Sequence, residues 1–270
     1  MPNRSSLARS IAFYGAAYFL VQIVIVAGTT IVLRGRWPLA ALFAGILAVY
    51  HALLTVLLLA RKEDFHREGE VAPLPRVNPS NALTLARLSS IPTLLFLIIL
   101  ASDAPVLPVL LPFACLVFAS DMFDGILARR RNEITFVGRY LDSSSDYLMI
   151  IAVSIVFYHF ALIPLWLFLL IMARLVLFAM GMAILALREG KADPLSTFLG
   201  KASIFSLMVL YAMEIAQIFR VPVIGDNLVV TIIEYVVAAV VSISIVDKAV
   251  FLIRMFAKVR AEKENRARLP

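Results

Sequence analysis

Runs of roughly twenty predominantly apolar residues, repeated along the whole chain, restrict its fold more than any other feature. A run of that length crosses the hydrocarbon core of a bilayer as a helix. Within that core only helices and closed barrels satisfy their own backbone groups. A barrel would show short alternating segments in place of continuous apolar ones. The chain therefore reads as an all-α, polytopic membrane helical bundle. Eight spans are expected, at about residues 11–33, 39–60, 81–100, 106–128, 140–162, 163–187, 201–219 and 228–253. The first run is too long for the apolar part of a signal peptide and is expected to stay as an anchor. Charged residues are 16% of the chain, well below the roughly one quarter of a soluble domain.

The net charge of +7 sits between the apolar runs and at the ends. Nucleic-acid binding would need a basic soluble domain, and the sequence has none. Arginine and lysine crowd the N-terminus (Arg4, Arg9), the second connection (Arg61, Lys62, Arg67, Arg76), the fourth (Arg129, Arg130, Arg131, Arg139), the sixth (Arg188, Lys191, Lys201) and the C-terminal tail. They thin out in the alternate connections, which places both termini and the fourth connection in the cytoplasm. Residues 61–79 form a charged, then proline-rich linker that breaks any continuous helix. They separate a two-span hairpin (1–60) from a six-span core (80–260), which ends in a basic cytoplasmic tail (261–270). The lone Cys115 excludes an intrachain disulfide and reads as a packing residue.

Chemistry concentrates in residues 120–147, SDMFDGILARRRNEITFVGRYLDSSSDY. Asp121 and Asp124 are spaced i,i+3, and Asp142 and Asp146 i,i+4, so each pair shares one helix face. Acids at membrane depth are costly and usually functional. Four together would repel one another unless cations were bound. Two carboxylates from each of two helices form an oxygen cage suited to hard divalent cations such as Mg²⁺. Two such ions can neutralise a pyrophosphate leaving group. Gly125 and Gly138 remove side chains where a substrate could approach the backbone, and Arg129 is placed to meet a phosphate with its planar fork. The plainer alternative is a set of ion pairs between these acids and Arg129–Arg131 or Arg139. Regular spacing, with glycines and the small Ala128 interleaved, favours the site. At the start of the third span, Ser80 or Asn81 is placed to cap the helix, and Asn81, Thr84 and Arg87 follow on one polar face. On spacing alone, a cap with a snorkelling arginine is the favoured reading of those three.

Read in full, the pattern is D-x2-D-G-x2-A-R-x8-G-x3-D-x3-D from Asp121 to Asp146. It resembles the signature of the CDP-alcohol phosphatidyltransferase family of integral membrane enzymes, over the six-span core. The resemblance implies transfer from a CDP-linked donor, usually CDP-diacylglycerol, to the hydroxyl of a small polar alcohol such as glycerol phosphate or inositol phosphate, with release of CMP. It implies Mg²⁺ or Mn²⁺, in two ions, held by Asp121, Asp124, Asp142 and Asp146, with Asp146 also the general base. It implies that Asn81, Thr84, Arg87, Gly125, Ala128, Arg129 and Gly138 bind the CDP moiety, and that the protein is a homodimer.

The acceptor is less constrained. Arg174, in the middle of the sixth span, either pairs with an acid (an aspartate, Glu214 or Glu234) or contacts an acceptor or donor phosphate. Lys201, in the GKAS start of the seventh span, is either an anion ligand or a snorkelling lysine. Arg139 is a third phosphate candidate. Family members with phosphorylated acceptors often carry a basic residue directly after the last aspartate, where this chain has Tyr147. The triple serine 143–145 offers hydroxyls to a polyol or serves helix packing. Three other activities share part of the pattern. An aminoalcohol phosphotransferase would take CDP-choline or CDP-ethanolamine with diacylglycerol. An intramembrane prenyltransferase would place its two acidic motifs far apart. A cation-coupled transporter would move ions without releasing CMP, and no internal repeat supports it.

Overall fold

The computed structural model describes residues 4–67, 70, 72, 74–131, 133–189, 198–218 and 227–267, apart from the side chains of 4, 121, 122, 182, 183, 185–189, 215–218, 227 and 258–267. Eight helices occupy the eight expected spans: α1 (Arg4–Val32), α2 (Trp37–Ala60), α3 (Pro79–Leu100), α4 (Leu107–Arg131), α5 (Phe136–His159), α6 (Leu165–Glu189), α7 (Phe198–Ile218) and α8 (Asn227–Ala267). Among the described residues six of them, α1 to α5 and α8, are long and apolar enough to cross a membrane, and α6 has a shorter apolar stretch, Leu165–Gly181. No strand forms among the described residues, only an isolated bridge between Arg67 and Thr135. The largest boundary difference is in α8, which stays helical to Ala267, through most of the segment expected as a separate tail.

The chain folds as two compact units, Met1–Ala152 and Val153–Pro270. In the first unit α3 is the central element: 78% of its apolar window is buried, against 17% in α1 and 22% in α2. The α1–α2 hairpin packs along α3, and α4 packs on it as well. Gly15 lets the two arms of the hairpin meet, because a Cβ there would run into the Thr55 hydroxyl.

Helix starts in this unit follow ordinary capping chemistry. Pro79 occupies the first turn of α3, where no N–H is needed, and the side chain of Asn78 accepts from Asn81 N at 3.1 Å. The cap is thus Asn78, ahead of the expected Ser80 or Asn81, whose side chains are released for other work. Thr135 caps α5 by accepting from Gly138 N at 3.0 Å.

In the second unit α8 packs against both α6 and α7. A Cβ at Gly181 would collide with Leu252, so the glycine sets how closely α6 and α8 approach. Phe157, near the end of α5, meets Tyr211 edge-on at 5.2 Å, and Tyr211 shares a hydrogen bond with Ser154.

Candidate active site

Three of the four expected aspartates converge in the first unit, around a guanidinium. Arg87 projects from α3 and is 3% exposed. Its Nη2 donates to Asp142 Oδ1 at 2.6 Å and lies 3.6 Å from Asp124 Oδ2 and 3.9 Å from Asp146 Oδ1. Its Nε donates to the hydroxyl of the fully buried Ser145 at 2.8 Å, and Ser145 in turn donates to the Asp142 carbonyl. One planar donor set therefore fixes both turns of α5 that carry acids. The i,i+4 spacing of Asp142 and Asp146 is what lets both reach it.

Asp124 is the most enclosed of the three, and α3 holds it twice. Thr84 Oγ1 donates to its carboxylate at 2.8 Å, and Ser80 Oγ donates to its backbone carbonyl at 2.9 Å. A carboxylate at this depth needs such donors. The pairing partner of the acids is thus Arg87, a residue read from sequence as a nucleotide contact or snorkelling arginine. Asp121 stands on α4 one turn before Asp124, but its side chain lies outside the described residues.

The remaining motif residues surround this cluster. Arg129 is exposed, and its Nη1 would be 3.3 Å from a Cβ at Gly125, so the guanidinium folds over bare backbone. Ala128 is half-buried on the same helix. The space a Gly138 Cβ would take is filled within this unit by Asn81 Oδ1 at 2.5 Å and Thr135 Oγ1 at 2.7 Å. Thr135 donates to Asn81 Oδ1 at 3.0 Å, which leaves Asn81 Nδ2 buried without an acceptor among the described residues. Arg139, half-buried on α5, lies 5.9 Å from the centre of the Phe136 ring.

The linker takes part, which its composition did not reveal. Phe136 N donates to the His66 carbonyl at 3.1 Å, and the two rings stack at 5.5 Å. Arg67 lies 3.4 Å from Glu133, whose carbonyl accepts from Asn78 Nδ2 at 2.9 Å. The α4–α5 connection is tied to the start of α3 by these contacts.

In the second unit Arg174 is 2% exposed; its Nη2 donates to the Gly200 carbonyl at 3.1 Å and its Nε to Ser244 Oγ at 3.3 Å. Lys201 is exposed at the start of α7. Lys248, 3% exposed, places its Nζ 4.0 Å from the centre of the Phe178 ring.

Divalent metal fits the donor chemistry of the first-unit cluster. Three carboxylates from two helices present oxygens to one point, and a single guanidinium cannot neutralise all three. Among the described residues no three acidic, histidine or cysteine side chains yet meet at metal-ligand spacing.

Comparison with known proteins agrees with the motif. The family model described as CDP-alcohol phosphatidyltransferase matches residues 77–243, more than half of the chain, and leaves the α1–α2 hairpin outside. A cardiolipin synthase (CMP-forming) of Streptomyces coelicolor is 37% identical over 139 residues, which are 49% of this chain and 62% of that protein. A putative cardiolipin synthase of Mycobacterium tuberculosis is 35% identical over 131 residues, 48% of this chain and 60% of that protein. A CDP-diacylglycerol–glycerol-3-phosphate 3-phosphatidyltransferase of Bacillus subtilis is 32% identical over 108 residues, 36% of this chain and 56% of that protein. The chain thus spans less than two thirds of the length of each of these relatives.

Proposed function

Because the chain belongs to the CDP-alcohol phosphatidyltransferase family, we propose that it transfers a phosphatidyl group from CDP-diacylglycerol to the hydroxyl of a glycerol-based acceptor, releasing CMP. The observation that carries this reading is the convergence of Asp124, Asp142 and Asp146 on Arg87 within the segment the family model matches. Asp121, Asp124, Asp142 and Asp146 would hold Mg²⁺ or Mn²⁺, in two ions, which when bound offsets the charge developing on the CDP diphosphate.

The chain's own groups do the rest. Asp146 takes the proton of the acceptor hydroxyl as its oxygen forms a bond to the β-phosphorus of the donor and the P–O bond to CMP breaks. CMP leaves with the electron pair. Arg129, folded over Gly125, faces the diphosphate with two parallel donors. The buried Asn81 Nδ2 offers a donor to the nucleotide. Thr84 holds the Asp124 carboxylate and Arg87 that of Asp142 in place by hydrogen bonds.

For the acceptor, one relative's name prints glycerol 3-phosphate, and another's prints cardiolipin and CMP as what it forms. Phosphatidylglycerol, which yields cardiolipin with CMP as the other product, is the first choice. It agrees with Tyr147 at a position where phosphorylated-acceptor members often carry a cation. Glycerol 3-phosphate is the second, supported by the basic Arg139, Arg174 and Lys201. The arginine distribution would put the reaction on the cytoplasmic face. The family reading also makes the protein a homodimer, which sizing of the solubilised full chain tests.

The deciding experiment is CMP release by the purified full chain from CDP-diacylglycerol, with Mg²⁺ or Mn²⁺ and either phosphatidylglycerol or glycerol 3-phosphate. CDP-choline with diacylglycerol forms a separate arm. Release only in that last arm, or in none, would sink the proposal. Asp146→Asn should lower the rate by about 10²–10⁴ without loss of the fold, and near-normal turnover would remove Asp146 as base.

A further inference from the structure

The α1–α2 hairpin lies outside the family match, yet four of its polar side chains, Tyr18, Gln22, Tyr50 and His51, reach for one helix, α3. Tyr18 donates to the Ala82 carbonyl at 2.9 Å, and Gln22 Nε2 donates to Ser90 Oγ at 3.3 Å. His51 Nδ1 lies 2.8 Å from the Leu47 carbonyl and must donate to it. Its Nε2 is then an acceptor, and the Ser89 hydroxyl donates to it at 2.5 Å. Tyr50 donates to the Leu88 carbonyl at 3.0 Å.

That last contact has a specific cause. Pro92 sits inside α3 and has no N–H, so the carbonyl four residues before it loses its helical donor. That carbonyl is Leu88, on a residue only 2% exposed, where water is not at hand. Tyr50 supplies the missing donor from another helix. Arg87 directly precedes Leu88, and Thr84 lies one turn earlier on the site-facing stripe. The weak point of α3 therefore directly adjoins its site residues.

We propose that the hairpin positions the active site: Tyr50, by taking up the carbonyl that Pro92 orphans, holds α3 at the pitch that delivers Thr84 and Arg87 to the aspartates. Tyr50 is a positioning residue. It touches neither Asp124 nor Asp142 but fixes the backbone of the residue beside the one that does. Tyr18 and His51 clamp the same helix on either side of this point. The link to catalysis rests on the function proposed above.

The test is a double-mutant cycle in the solubilised full chain, using Tyr50→Phe, Pro92→Ala and the pair. It reads unfolding temperature, amide exchange in α3 and CMP release. Tyr50→Phe should lower the unfolding temperature by about 2–4 °C, speed exchange around residue 88 and cut CMP release roughly ten-fold. Pro92→Ala restores the helical N–H to Leu88, so the double variant should regain most of all three, which loss of packing alone would not allow. Additive losses, or a Tyr50→Phe protein like wild type, would overturn the proposal. So would rescue of stability with CMP release unchanged in every variant. A wild-type protein that releases no CMP would sink the proposed reaction instead, and temperature and exchange would still decide the brace. Should Tyr50→Phe not fold, recovery of folded protein in the double variant is the decisive result.

Discussion

Replacing Arg87 with methionine tests the electrostatic centre of the first unit most directly. The guanidinium Nη2 is 2.6, 3.6 and 3.9 Å from oxygens of Asp142, Asp124 and Asp146. With an effective dielectric constant of about 20, those separations give gross attractions of ~6, ~5 and ~4 kcal/mol. Most of that is offset by desolvation and by repulsion among the carboxylates. The Asp142 side chain is also 50% exposed, so its share is screened. What the deletion costs is set by the acids left behind, above all Asp124 at 6% side-chain exposure, and amounts to about 3–5 kcal/mol. Methionine keeps the length and apolar bulk of the stem, so packing changes little.

Thermal unfolding of the full chain in detergent with chelator should then fall by about 6–20 °C. Manganese should restore more stability to the variant than it adds to wild type, because it replaces the counter-charge that the substitution removes. Arg87→Lys should fall between the two. A single ammonium can face Asp142 but cannot also reach Ser145 with the geometry of Nε. An Arg87→Met protein that unfolds like wild type in chelator would refute the reasoning, and would mean that the acids are neutral or neutralised elsewhere.

Two further outcomes follow from contacts in the same unit. Thr84→Val should destabilise by about 1.5–3 kcal/mol, since it strips a donor from the buried Asp124 carboxylate, whereas Thr84→Ser should be close to neutral; denaturation midpoints distinguish them. Gly138→Ala should cut CMP release at least ten-fold, because its Cβ would press on Asn81 Oδ1 and Thr135 Oγ1. Gly125→Ala meets only the flexible end of Arg129 and should be milder; equal losses in the two would contradict this assignment.

The motif showed the acids, their spacing and the family, and it showed them because helical spacing is a local property. It left the counter-charge open between neighbouring arginines and bound cations. Arg129, Arg130 and Arg131 are close to the acids in sequence but exposed on the last turn of α4. The group that meets the acids is Arg87, 55 residues from Asp142 along the chain, and no spacing rule joins two residues so far apart. Ser145 was visible only as one of three serines. Its role became clear once α5 had turned that hydroxyl, three residues past Asp142, toward α3. The helix cap was misplaced for a related reason: Pro79 fits the first turn of α3, so the cap moves back to Asn78, and Ser80 is freed to hold the Asp124 backbone.

By itself the sequence determined the helices, the membrane class and the family. Length of apolar runs and periodicity are written within single segments, and the bilayer admits few answers to them. Which guanidinium meets the aspartates, and which helix the polar side chains of α2 reach, depended on tertiary packing. Tyr50 and Pro92 look ordinary in their own segments, and nothing local joins them to Arg87 or Asp142. They become one device only when α2, α3 and α5 bring a hydroxyl, an orphaned carbonyl, a guanidinium and a carboxylate within hydrogen-bond reach.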